Sequence, residues 1–185
     1  SVTVDSDLVV NGRINGITPV GGLFAQIADT TFTAATTPAT QQMIGTGVGT
    51  LTVPANGFKV GDSFHLKCGG LKSNGNGNDV QIMLKSGGVV IAESGIIPLD
   101  GMTNAPWEME LDFTIRAVGA AGVANVNTNG QWTVTDAGVY LGYGFNNTNS
   151  TTFDTTIENT LTMDIMQSDA GDFISVTNLV LSKVY

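Results

Sequence analysis

The chain is poor in the residues that carry most familiar chemistry. It has one cysteine, Cys68, so no intrachain disulfide can form, and one histidine, His65. A zinc site needs more His and Cys ligands than these two. A Ser-His-Asp triad would have to use His65, and no nucleophile-elbow pattern supports one. Charge is scarce as well, at 12% of residues against about a quarter in an average soluble domain. The basic side is the thinner, 7 Lys plus Arg against 16 Asp plus Glu, which gives a net charge of −9 and a pI near 4.2. Such a field repels phosphate backbones and anionic membrane surfaces, so no nucleic acid and no membrane is expected as a partner. No apolar run approaches the roughly 18 residues of a membrane span, so membrane insertion is not expected either. The first residues carry neither the basic stretch nor the apolar core of a secretory signal, and none is expected.

What the chain does have is 24 glycines and 42% hydrophobic residues spread over 185 positions. That length suits one domain with a short appendage and is enough for a core without disulfides or metals. With so few charges, the surface must consist of Thr, Asn, Ser and Gly, or be partly buried against other subunits. Both are expected here.

The dominant pattern is strict alternation. In residues 107–118, Trp107, Met109, Leu111, Phe113, Ile115 and Ala117 point one way, and Glu108, Glu110, Asp112, Thr114 and Arg116 the other. Period two over that length predicts a strand with one buried face and one wet face. Residues 63–71 repeat it with Phe64, Leu66 and Cys68 inward, and Val80, Ile82 and Leu84 do so again, with Gln81 and Lys85 outward. Residues 89–92 form a partner strand beyond Gly87-Gly88, a two-residue hairpin signal. Further strands are predicted at 131–135, 139–145, 157–167 and 174–184. Residues 34–43 are too rich in Thr and Pro for a helix, and no stretch sustains a 3.6-residue period. Eight to ten strands separated by turn chemistry predict an all-β antiparallel sandwich of the jelly-roll kind.

Residues 1–22 read differently. Val2, Val4, Leu8 and Val10 alternate, Asn11-Gly12 and Asn15-Gly16 follow, Ile14 and Ile17 fill the gaps, and Pro19 with Gly21-Gly22 closes the segment like a hinge. Two tight turns so close together cannot build a core alone. The segment is predicted to be an oligomeric stem, with residues 23–185 as the head; a frayed terminal strand is the plainer alternative.

The candidate sites are few. His65 and Cys68 are three apart on a strand and so face opposite sides. His65 is predicted on the solvent side and Cys68 in the core. Glu108, Glu110 and Asp112 are the best case for an enzyme, because alternate strand positions lie roughly 6.5–7 Å apart and paired carboxylates at about 5–10 Å hydrolyse glycosides. The plainer reading is a solvated face, partly neutralised by Arg116 and Lys85. Asp169, Gly171 and Asp172 form an acidic turn; calcium uses such oxygen clusters, but the spacing does not match an EF-hand and a plain turn is expected. Residues 72–79 lack the Gly-Lys-Ser order of a phosphate loop and are predicted to be a flexible hairpin tip. Asn146-Asn147-Thr148 and Asn149-Ser150-Thr151 are glycosylation sequons. Trp132, Tyr140, Tyr143 and Phe145 are either aromatic core or a sugar-stacking platform. No catalytic, cofactor or metal residue is assigned.

One resemblance extends this reading. Residues 4–17, Val-Asp-Ser-Asp-Leu-Val-Val-Asn-Gly-Arg-Ile-Asn-Gly-Ile, resemble the short neck repeats of bacteriophage and large-virus fibres. Leu23-Phe24-Ala25-Gln26 opens a new block. Residues 44–56, then Phe58-Lys59-Val60-Gly61-Asp62-Ser63-Phe64, resemble the tumour-necrosis-factor-like jelly-roll heads of viral fibre or spike proteins, and Trp107-Glu108-Met109-Glu110-Leu111 and residues 179–185 fit that picture. The resemblance implies a homotrimer on a virion or tail, in contact with other virion proteins and presenting loops for assembly or for a host glycan or receptor. It implies no catalytic residue. The alternatives are a free carbohydrate-binding module or lectin, and a jelly-roll glycoside hydrolase using two of Glu108, Glu110 and Asp112.

Overall fold

The computed structural model describes residues 21–147 and 152–185, and among these every regular element is a strand. In chain order the strands are β1 (Gly21–Gln26), β2 (Thr30–Thr33), β3 (Ala39–Gln42), β4 (Gly47–Gly49), β5 (Thr52–Val53), β6 (Ser63–Asn74), β7 (Asn78–Ser86) and β8 (Val89–Glu93). They continue as β9 (Ile97–Leu99), β10 (Met102–Ala117), β11 (Asn125–Asp136), β12 (Val139–Gly144), β13 (Asn146–Asn147), β14 (Asn159–Gln167), β15 (Phe173–Val176) and β16 (Asn178–Lys183). Of the predicted stem, residues 1–22, the first twenty lie outside the described part. Gly21 and Gly22, read as a hinge, belong to β1 and pair with Lys183 and Ser182.

All pairings are antiparallel and form two sheets. The larger runs β12-β11-β10-β6-β16-β1-β4, with β15 and β2 attached beside β6. The smaller runs β13-β8-β7-β14-β3, with β5 on β14 and β9 on β7. The alternation in the sequence decides which residues meet between them. From the large sheet, Leu66, Cys68, Trp107, Met109 and Leu111 point inward; from the small sheet come Ile82, Leu84, Met163 and Ile165, and all are buried in one core. Cys68 Sγ meets Met163 Sδ at 4.0 Å across the sheets. Phe64 and Phe113, cross-strand neighbours, stack at 4.9 Å.

The long strands exceed their predicted bounds. β10 starts at Met102, five residues before the alternation becomes strict, because Pro106 and a bulge between Met102 and Ala105 mask its beginning. The predicted 174–184 strand is two strands divided at Thr177, whose amide bonds to the Gly69 carbonyl. The Gly87-Gly88 hairpin is present, with φ of 57° and 82°, the doubly positive pair of a type I′ turn. The predicted hairpin tip at 72–79 is a correction: β6 runs on to Asn74, and the following turn carries the chain from the large sheet to the small one. Its start is not flexible either, since Lys72 is 1% exposed.

Candidate functional site

The outer face of the large sheet collects the charged candidates. Register places Glu110 opposite Lys67 and Asp112 opposite His65 across β10 and β6. Lys67 Nζ donates to Glu110 Oε1 at 2.7 Å, and His65 Nδ1 lies 2.8 Å from Asp112 Oδ1. The hydrogen bond and the charge of Lys67 hold the Glu110 carboxyl below the usual glutamate range, and the same pair raises the Lys67 ammonium. Next to them, Asn129, Gly130 and Gln131 of β11 complete a shallow depression. The expected neutralising cation Lys85 is elsewhere: it stands on the small sheet and donates to Asp164 Oδ2 at 2.6 Å. Arg116 lies further along the exposed face of β10.

The Glu110 carboxyl is set against the acid's role in glycoside hydrolysis. A glycosidase needs one carboxyl held protonated by a raised pKa. Glu110 is shifted the other way, and Asp112 is engaged by His65. Cys68 faces the core, where burial pushes its thiol up and out of the reactive range.

The same sheet carries an apolar row at its other end. Val48 of β4 pairs with Ala25 of β1, which pairs with Val180 of β16, which pairs with Lys67. Val48 is 66% and Val180 38% exposed. The outer face therefore passes from neutral and apolar at β4 to paired charge at β10. Between them Gly69 and Gly70 leave a hollow of about 450 Å³ beside Leu71, Pro106 and Asn178.

A third concavity, about 180 Å³, opens between the sheets at the end where β1 begins, lined by Leu23, Leu51, Val53, Phe58, Phe113 and Leu161. Its polar groups are bonded to each other: Lys183 to Asp62 at 2.7 Å, and Ser86 to Asn159 at 3.1 Å.

The other candidates resolve simply. Trp132 is fully buried, and Tyr143 stacks on it at 5.7 Å from a half-buried position, while Phe145 packs against the core. Only Tyr140 of the four is well exposed, its hydroxyl 3.0 Å from Thr133 Oγ1. Of the sequon residues, Asn146 and Asn147 form β13; residues 148–151 lie outside the described part. Asp169 and Asp172 flank a turn, but Asp172 is buried and its Oδ1 accepts from the Gly75 amide and from Asn78 Nδ2. Among the described residues no group of His, Cys, Asp and Glu has the arrangement of a metal site.

One constellation was not anticipated. Lys72 and Gln167, both fully inside, meet at 3.1 Å beside Asp172. The signal was present in the alternation. Lys72 is in phase with inward Phe64, Leu66 and Cys68, and Gln167 with Leu161, Met163 and Ile165. Compared with family models, with curated proteins and with solved structures, the chain matches none.

Proposed function

We infer that the chain is the head of a non-enzymatic homotrimeric virion appendage, a jelly roll that assembles through the outer face of its large sheet and presents its far loops to a host surface. The strand order supports the jelly roll. If β1, β3, β6, β7, β8, β10, β14 and β16 are taken as eight successive strands, the large sheet reads first-eighth-third-sixth and the small sheet second-seventh-fourth-fifth. That interleaving is the order a double Greek key would give, and it supports the jelly-roll reading. The β11–β12 hairpin extends the large sheet beyond it.

The observation that carries the assembly reading is the Val48–Ala25–Val180 row. An exposed apolar cross-strand row, on a chain whose charges nearby are already paired, suits a subunit contact better than a solvated surface. A second copy of the chain is the partner that fits, because a row without free charge recognises shape and apolar area rather than a charged ligand. The start of β1 and the end of β16 lie at one end of the sheet, the end from which the proposed stem would extend. The turns at 75–77, 100–101 and 168–171 lie towards the other end of β6 and are the loops proposed for attachment.

The test is the solution mass of the full chain and of a chain beginning at Gly21, by light scattering. Three subunits in the full chain support the reading. A monomer in both forms rejects it.

A further inference from the structure

We propose that Lys72 and Gln167 become joined by an intramolecular amide bond that ties the two sheets together, with Asp172 moving the proton. The proposal rests on the buried polar cluster alone and is independent of the trimer and of the virion setting.

The three side chains are almost wholly buried. Lys72 is 1% exposed, Gln167 0% and Asp172 3%. Lys72 is the last inward position but one of β6, in the large sheet, and Gln167 the last of β14, in the small sheet. Lys72 Nζ donates to Gln167 Oε1 at 3.1 Å. The carbonyl carbon is one bond beyond that oxygen, so a small rotation of the lysine stem brings Nζ onto it, within the ~3–3.5 Å of a near-attack arrangement. The carboxamide is fixed from behind: Nε2 donates to the Asp172 carbonyl at 3.0 Å and to the Phe32 carbonyl at 3.4 Å, which turns the C=O towards the amine.

Asp172 is the natural proton carrier. Its Oδ1 is occupied by Gly75 and Asn78, while Oδ2 is buried with no hydrogen-bond partner. Its charge acts on Lys72. A buried carboxylate oxygen without a partner is costly and calls for a role. Burial also lowers the Lys72 ammonium to about 8, so a neutral amine is accessible near neutral pH.

The step balances without any other reagent. The ammonium loses one proton to solvent. The Nζ lone pair adds to Gln167 Cδ, and the carboxylate of Asp172, which makes no hydrogen bond or ion pair with Nζ in the resting structure, swings towards it and takes a proton from it. That proton passes to Nε2, the Cδ–Nε2 bond breaks, and ammonia leaves. A new Nζ–Cδ amide replaces the old one, Asp172 returns to its starting state, and nothing is oxidised or reduced. The product removes a charge from the core and supplies the covalent link that a chain with one buried cysteine cannot make with disulfides.

The test is the intact mass of the purified full chain under denaturing conditions, followed by peptide mapping. The expected result is a deficit of one ammonia and a branched peptide joining Lys72 to Gln167. Lys72→Met restores the full mass, and so does Asp172→Asn, whose amide oxygen still accepts from Gly75 and Asn78 and keeps the fold. Asn-Gly steps such as Asn74-Gly75 also lose ammonia when they cyclise. A deficit that persists in Lys72→Met is therefore theirs and overturns the proposal. A wild-type mass equal to the sum of its residues overturns it too, and so does a deficit of one water in place of ammonia, which Asp100-Gly101 gives when it cyclises.

Discussion

Lys183 Nζ lies 2.7 Å from Asp62 Oδ1, joining the loop before β6 to the end of β16, and both side chains are largely buried. Asp62 Oδ2 also caps the Lys59 amide at 2.9 Å. Asparagine keeps one oxygen for the Lys59 amide but turns the other into an NH2 that faces the Lys183 ammonium, so the lysine loses its partner. Asp62→Asn is expected to cost about 1–3 kcal/mol. Lys67 and Glu110 stand at the same 2.7 Å, but in solvent. Lys67→Met is expected to leave the denaturation midpoint within experimental scatter. Urea unfolding of the two variants decides the matter: equal losses would mean that distance rather than burial sets the strength of these pairs.

The β11–β12 turn contains a residue in the wrong conformation for its type. Ala137 has φ of 45° and Gly138 of 81°, the doubly positive pair that Gly87 and Gly88 adopt freely. A Cβ in that region is strained by roughly 1 kcal/mol. Ala137→Gly is expected to stabilise the chain by about 0.5–1 kcal/mol, read as a higher thermal or urea midpoint. A lower midpoint would show that the hairpin gains more from the stiffness of alanine than it loses in strain.

Much of this architecture is legible in the sequence because period two is a strong signal wherever one face is buried. Residues 107–115 and 161–165 alternate without a break, and the structure buries the inward positions. β1 to β5 went unread because strands of two to six residues, rich in Thr and Gly, carry too few alternations to count. The ladder of Glu108, Glu110 and Asp112 was readable as a wet face, but its partners were not: which strand lies beside β10 is a matter of topology, and that put His65 and Lys67 there instead of Lys85. The Lys72–Gln167 contact was hidden for another reason. Both residues sit in phase with the core, but charge and polarity argue for a loop, and only the three-dimensional fold shows that the two ends meet.

Val180 and Lys67 are cross-strand neighbours on the outer face. A glutamate at position 180 would find that lysine, so a single folded chain tolerates it, and exposed substitutions of this kind move stability by only about 0.5 kcal/mol. A subunit contact built on the Val48–Ala25–Val180 row would not tolerate it, because a buried charge there is costly. Val180→Glu is therefore expected to shift the solution mass towards one subunit while the unfolding midpoint of the isolated chain stays put. An unchanged oligomer would move the contact to another face.

The pH dependence of folding reports on Lys72 from a second direction. In a chain with a free amine, the folded state gives up the Lys72 proton near about 8, and the unfolded chain keeps it until about 10.5. Between those values the unfolded state binds more protons, so stability rises with pH through the window and is lost again as pH falls back through 8. An amide nitrogen has no proton to give up there. Wild type, once joined to Gln167, is thus expected to run parallel to Lys72→Met from pH 8 to 10.5, since the other titrating groups are common to both. Asp172→Asn keeps a buried amine and is expected to climb relative to Lys72→Met over the same window. Urea midpoints at three pH values across it measure all three curves. A wild type that climbs with Asp172→Asn would mean that its amine is still free, and the two sheets are then held by packing alone.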